Sequence, residues 1–234
     1  MSSSHARLTA AGFTSQIATV ARKDLEIEAR TGVAAGRMVP FAGILVVLFA
    51  IALDPDSGLL PRLAPGLFWI AVLLSALMAI TRSFALEREH RAGEGLIGAG
   101  LDPAAMFLGK AAAIAVELLT LELLVGSTMV VLYEVSRPGA VIVAACLLLA
   151  SAGIACAGTL YGALTIAGDG RDSLLAVLLL PALVPLMVAA TRAFEIAVDV
   201  GTGTATTWVG LLGVFAAIYA SLGSLTFASL IEET

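Results

Sequence analysis

Apolar stretches recur along this chain, and a stretch of about 20 such residues is enough to cross the roughly 30 Å hydrocarbon layer of a bilayer as a helix. Six segments qualify or nearly do: about 33–53, 66–81, 104–133, 139–167, 173–191 and 207–231. The first is short unless Arg37 snorkels from its opening turn. Lipid offers no partner to backbone N–H and C=O groups, so a spanning segment must satisfy them internally, as a helix does. A β-barrel would show ten-residue segments of alternating polarity, and none is visible. Composition agrees, with 59% apolar and 13% charged residues, against about a quarter charged in ordinary soluble domains. The expectation is an all-α integral membrane protein, residues 1–234 forming a single transmembrane domain of six helices.

Lys and Arg bias in the loops orients such a bundle. Arg7, Arg22, Lys23, Arg30, Arg37, Arg82, Arg88, Arg91, Lys110 and Arg171 fall on one side, and Arg62, Arg137 and Arg192 on the other. Ten against three predicts both termini in the cytoplasm. Asp24, Glu26 and Glu28 precede the first span, which is not the layout of a signal peptide, so the N-terminus is expected to stay in the mature chain.

Three segments outside the spans carry information. Residues 14–32 place Ile17, Ala21, Leu25 and Ala29 on one helical face, with Lys23, Glu26 and Arg30 elsewhere around it. This reads as an amphipathic helix on the cytoplasmic membrane surface or as a solvated lead-in. The link from Arg82 to Lys110 is the most charged part of the chain. Glu87, Arg88, Glu89, His90 and Arg91 suit a short exposed helix; Gly93, Gly95, Gly98 and Gly100 break it. Asp102-Pro103 then reads as an N-cap and first-turn proline. Such a loop either docks on a cytosolic partner or serves as a solvated connector. Residues 192–206 are too polar to span, and a short interfacial helix ending near Gly201 is expected there.

Within the spans, Glu117 and Glu122 must face protein or water, because a charge at a helix centre costs about 2.5–3.5 kcal/mol on insertion scales. Five residues apart, they diverge by roughly 140° and cannot serve one narrow site. Each is either a polar contact in a substrate path or subunit interface, or a neutral acid bonded to a nearby hydroxyl or backbone group. Gly158 and Gly162, and Gly213, Ala217 and Ser221, put small residues on one face for close helix packing, within the chain or between two copies. Pro181 and Pro185 share a face and each removes a backbone donor, so a kink or local unwinding is expected.

Cys146 and Cys156 lie ten residues apart in one span, roughly 15 Å along the axis, beyond disulfide reach, and read as buried thiols. No G-x-x-x-x-G-K-[ST] run cradles phosphate, and no span contains histidine; only His5 and His90 exist. No catalytic set, metal cluster or nucleic-acid surface stands out, and the expectation is a non-catalytic chain holding no cofactor of its own.

Taken in order, several segments resemble the CcmB family, the membrane component of cytochrome c maturation. They are Arg22-Lys23-Asp24-Leu25 through Glu28-x-Arg30, Trp69, Arg82-Ser83-Phe84 with Glu87 and Glu89, and Glu94-Gly95-Leu96. Asp102-Pro103, Gly109-Lys110, Gly158-Thr159-Leu160-Tyr161, Ala163-Leu164-Thr165, Gly170-Arg171 and Leu178-Leu179-Leu180-Pro181 with Pro185 complete the set. The resemblance implies an ABC-2-like permease: two copies paired with two of a separate ATPase, CcmA-like, which would bind the ATP. Glu87, Arg88, Glu89, Arg91, Glu94 and Leu96 would form its coupling helix, between the second and third spans. It further implies a haem-handling membrane protein (CcmC-like) and a haem chaperone (CcmE-like) as partners, with haem exported or the loaded chaperone released in a bacterial inner membrane. With no imidazole in a span, the expected role is mechanical, haem being ligated by a partner. Glu117, Glu122 and residues 192–206 match no family motif. A permease for another amphiphile, a scaffold without an ATPase, and a secondary transporter using Glu117 as proton carrier are the competing expectations.

Overall fold

The computed structural model describes residues 12–53, 58–90, 101–132, 139–167 and 172–232, and seven helices run through them. They are α1 (Phe13–Thr31), α2 (Val33–Ala52), α3 (Leu60–His90), α4 (Pro103–Leu132), α5 (Ala140–Ala167), α6 (Asp172–Ala197) and α7 (Ala205–Glu232). Local chemistry sets several boundaries. Gly32 ends α1 and begins α2 in one residue, its φ of 59° supplying the left-handed turn while its N–H donates to the Glu28 carbonyl at 2.7 Å. Asp102 caps α4 as its sequence predicts: Oδ1 accepts the Ala104 N–H at 2.8 Å, and Pro103 occupies the first helical position, where no N–H is needed.

Five segments are long and apolar enough to cross a membrane: Leu60–Ala85, Pro103–Leu132, Ala140–Thr165, Val177–Ala197 and Ala205–Leu230. The apolar part of α2, Gly36–Ala52, is shorter. Large apolar side chains face outward along these helices, Val131 and Leu225 each 80% exposed and Val141 83%. In water that surface would be a severe liability; in lipid it is the required exterior. The chain is a multi-pass membrane protein.

α5 stands at the centre, packed against α3, α4, α6 and α7, while α2 lies outside against α3 and α4. Close approach is what Gly158 and Gly162 provide. A Cβ at Gly158 would strike the Ile80 side chain, and one at Gly162 the Phe84 ring. The pair therefore serves packing inside the chain. On α7, Ala217 and Ser221 face outward, and it is Gly223 that seats the Phe107 ring of α4. Gly162→Val is expected to lower stability by about 1–3 kcal/mol through overpacking; thermal unfolding in detergent reads it, and Phe84→Ala in the same chain should restore part of the loss.

The expected interfacial helix after Arg192 is not there. α6 continues to Ala197, and a turn follows in which Val200 N and Gly201 N both donate to the Glu195 carbonyl, at 2.9 and 3.0 Å. Asp199, at φ 64°, reverses the chain. The Gly139 N–H donates to the Ala197 carbonyl at 3.0 Å, tying the start of α5 to this end of the bundle. α6 runs unbroken through Pro181 and Pro185, both exposed. Pro185 has no N–H for the Pro181 carbonyl; one residue on, the Ala182 carbonyl takes the Tyr219 hydroxyl of α7 at 2.7 Å.

Candidate functional site

At the end of the bundle where α3 finishes and α4 begins, α1 lies packed along α4. Ile17, Ala21 and Leu25 of the apolar set expected from periodicity are half-buried, but the two fully buried positions are not among them. Gln16 and Val20 are buried, Asp24 and Glu28 half-buried, and Ala29 is exposed. The reason lies on α4, which meets α1 with polar as well as apolar groups. A Cβ at Gly109 would sit 2.6 Å from Val20 Cβ and 2.9 Å from the Ile17 carbonyl, so only glycine admits α1 this closely. Gln16 Oε1 accepts the Asp102 backbone N–H at 3.0 Å, adding a second contact at the α4 cap. On the outward side Arg22 Nε donates to Glu26 at 2.7 Å, and that guanidinium holds the Glu26 carboxyl below its usual range.

Charges converge beneath α1. Lys110 stands 4.0 Å from Asp24, Arg82 of α3 stands 4.0 Å from Glu28, and Lys23 lies 3.0 Å from Asp24. Lys110 is only 5% exposed, with its ammonium 4.7 Å from the centre of the Phe84 ring. Such a cation–π contact contributes about 0.5–2 kcal/mol, more as water is excluded. Glu117 follows Lys110 two turns along α4 on nearly the same face, within electrostatic reach of Asp24, Glu28, Lys110 and Arg82. The cluster joins three helices. Sequence reasoning counted Lys110 and Arg82 as loop cations and did not foresee it; the signal was a lysine set seven residues before a carboxylate inside an apolar helix.

α3 is the helix that leaves the bundle here. Its 31 residues span about 46 Å at 1.5 Å per residue, against roughly 30 Å of hydrocarbon. The apolar part ends at Ala85, so Glu87, Arg88 and Glu89 lie on the continuation of the same helix, their side chains outside the described residues. Arg91, Glu94 and Leu96 also lie outside the described residues. The chain re-enters at Leu101, which is buried, and at the Asp102 cap held by Gln16. The helix end that carries the charged link and the helix that follows it are thus both fastened to α1.

Glu122 stands apart from this cluster. It is fully buried and faces α5, where Ser151 lies near its carboxyl group. At the far end of the bundle Arg62 is exposed, and Arg192 is committed to Glu195 at 2.8 Å; Arg137 lies outside the described residues. Cys146 and Cys156 are buried free thiols. Among the described residues no three His, Cys, Asp or Glu side chains gather as metal ligands.

Known proteins resemble this chain in sequence. The family model described as CcmB protein matches residues 15–233, which takes in α1, the charged link and every span. Among curated relatives, "Heme exporter protein B" of Paracoccus denitrificans is 28% identical over 173 residues, covering 71% of this chain and 76% of its own. The protein of the same name from Rhodobacter capsulatus is 29% identical over 166 residues, with the same two shares. That of Haemophilus influenzae is 30% identical over 182 residues, covering 76% of this chain and 80% of its own. Matched from α1 to α7, the chain belongs to the CcmB protein family.

Proposed function

We propose that this chain is the membrane subunit of an ABC transporter serving cytochrome c biogenesis, with six spans and both termini in the cytoplasm. A separate ATPase acts on the α1 end of the bundle. The observation that carries the reading is the overhang of α3. A helix about 16 Å longer than the hydrocarbon layer delivers Glu87, Arg88 and Glu89 beyond the apolar core, beside a surface helix clamped to the next span. A push on that link reaches α3, α4 and α1 together. Arg22, Lys23, Arg30, Arg82 and Lys110 gather at the same end, and the positive-inside bias supports a cytosolic face there. α2 completes the six spans, with Arg37 near its start snorkelling to the interface.

The names of the relatives point to haem as the exported cargo. In this reading the chain works mechanically, as half of a homodimer. Haem is ligated by a CcmC-like membrane protein or a CcmE-like chaperone, because no span of this chain contains histidine. The ATP site, and with it the catalysis, lies in the CcmA-like partner. Affinity purification of the tagged chain in mild detergent tests this. The expected result is co-purification of a P-loop ATPase together with cytochrome c maturation proteins. Recovery of an ATPase without those proteins favours a permease for another amphiphile, and recovery of no ATPase defeats the proposal.

A further inference from the structure

α1 runs alongside α4 in the same direction, not across it. Gln16 meets the α4 cap at Asp102, Val20 meets Gly109, and Asp24 meets Lys110. Glu28 then reaches Arg82 of α3, which lies two residues inward of Phe84. The apolar part of α3 ends at Ala85, and the Phe84 ring lies against the Lys110 ammonium. Lys110 therefore marks the edge of the hydrocarbon on this pair of helices. From Asp24 to Thr31, α1 continues past that edge by about 10 Å at 1.5 Å per residue.

Over that stretch α1 turns a largely polar face outward. Glu26, Ala29 and Arg30 are exposed, with Ile27 the apolar exception, and Glu28 and the Glu117 of α4 are half-buried. The other flank of α4 is oily at the same depth. There the Phe107 ring packs on Phe227 of α7 with centroids 5.6 Å apart, and it fills the space left by Gly223. Inward of Phe227, α7 exposes Leu225 at 80%, Leu222 at 47% and Ile218 at 45%. Bare leucine and isoleucine suit lipid, whereas a charge in hydrocarbon costs about 2.5–3.5 kcal/mol on insertion scales. A flat membrane edge can serve only one of the two flanks.

We propose that phospholipid headgroups follow α1 about 10 Å into the depth that acyl chains occupy around α7, so that the bilayer is thinned on the α1–α2 flank. Charge selects this occupant. Arg30 and Arg37, both exposed, bracket the Gly32 turn at the bottom of the step, and phosphate is the anion that a membrane offers them. The length of α2 agrees independently. Its apolar part, Gly36–Ala52, covers about 25 Å against roughly 30 Å of hydrocarbon, and a short span is accommodated by thinning the bilayer around it. Glu117, although midway along α4, then lies near polar surroundings. The inference needs only that the bundle sits in a membrane and does not rest on the transport reading.

Nitroxide labels on Ala29→Cys and Ile218→Cys, in the tag-free assembled complex, test it; the two native thiols are buried. Ala29 lies nine residues inward of Val20 and Ile218 nine residues inward of Phe227, about 13 Å each. The complex is placed in nanodiscs of phosphatidylcholine and phosphatidylglycerol doped with a nickel-chelating lipid. Power saturation then compares collisions with that headgroup-borne nickel against collisions with oxygen, which concentrates among acyl chains. A flat bilayer gives both sites the same nickel-to-oxygen ratio. The expected ratio is several-fold higher at Ala29→Cys than at Ile218→Cys. Arg30→Cys and Val214→Cys, read in the same way, replace a variant that does not assemble. Equal or reversed ratios overturn the proposal. So does a site on α1 reached by neither reagent, which would mean that protein and not lipid covers it.

Discussion

Lys110→Met is expected to release α1 from α4. Methionine keeps most of the apolar stem beside Phe84 but removes the charge that faces Asp24 and, two turns on, Glu117. Asp24, Glu28 and Glu117 then lose one of their nearby cations, with Arg82 still beside Glu28 and Lys23 beside Asp24. Breaking a fully buried ion pair costs about 3–5 kcal/mol. With Asp24 18% exposed and its Lys110 contact at 4.0 Å, screening brings this to about 2 kcal/mol. Hydrogen exchange across residues 13–31 should accelerate by about 30-fold, that free energy expressed as an opening equilibrium. Asp24→Asn alone should cost less, and the double variant less than the two summed, because the second change removes the charge that the first stranded. Unchanged exchange in α1 would show that Val20 against Gly109, and not the charges, holds the helix.

Glu87→Lys combined with Glu94→Lys is expected to abolish recovery of the ATPase while the chain still inserts. The two residues flank the end of α3, where the proposed partner docks. Reversing an interface charge replaces attraction with repulsion, and like-charge juxtaposition costs several kcal/mol. Two reversals at about 1.4 kcal/mol or more each weaken association at least about 100-fold. Quantitative pull-down at several salt concentrations reads the effect. The matching control is Glu195→Lys, at the opposite end of the bundle, which should leave ATPase recovery unchanged. Equal recovery from both variants would remove the docking role from the charged link.

How much of this was legible in advance depends on the kind of force involved. Spans are readable because lipid imposes one rule, apolar and self-bonded, on every crossing segment. The Asp102-Pro103 cap was readable because it is local, and Gly158 with Gly162 was readable as a packing face, although not that Ile80 and Phe84 fill it. The 140° divergence of Glu117 and Glu122 was also visible, and the structure gives them different neighbours: the charge cluster under α1 for one, the helix carrying Ser151 for the other. What stayed hidden depends on partners distant in the chain. Periodicity counts apolar residues, so it nominated Ile17, Ala21, Leu25 and Ala29. Ile17, Ala21 and Leu25 are half-buried, but the packed face also carries Gln16, Asp24 and Glu28, whose partners are 54–86 residues away. Lys110 looked like a loop cation because its burial is produced by α1 and Phe84, neither of which is near it in sequence. Residues 192–197 looked interfacial because Arg192 and Glu195 are charged; pairing with each other lets them close the last turns of α6.

One measurement addresses the sidedness on which the transport reading depends. Ala92→Cys, in the charged link, can be probed with a membrane-impermeant maleimide in spheroplasts and in inverted membrane vesicles; the two native thiols are buried and give little background. The expected result is labelling in inverted vesicles, protection in intact spheroplasts, and slower labelling when the ATPase subunit is co-expressed. Labelling in intact spheroplasts would put the link on the far side of the membrane from any cytosolic ATPase and contradict the proposed function.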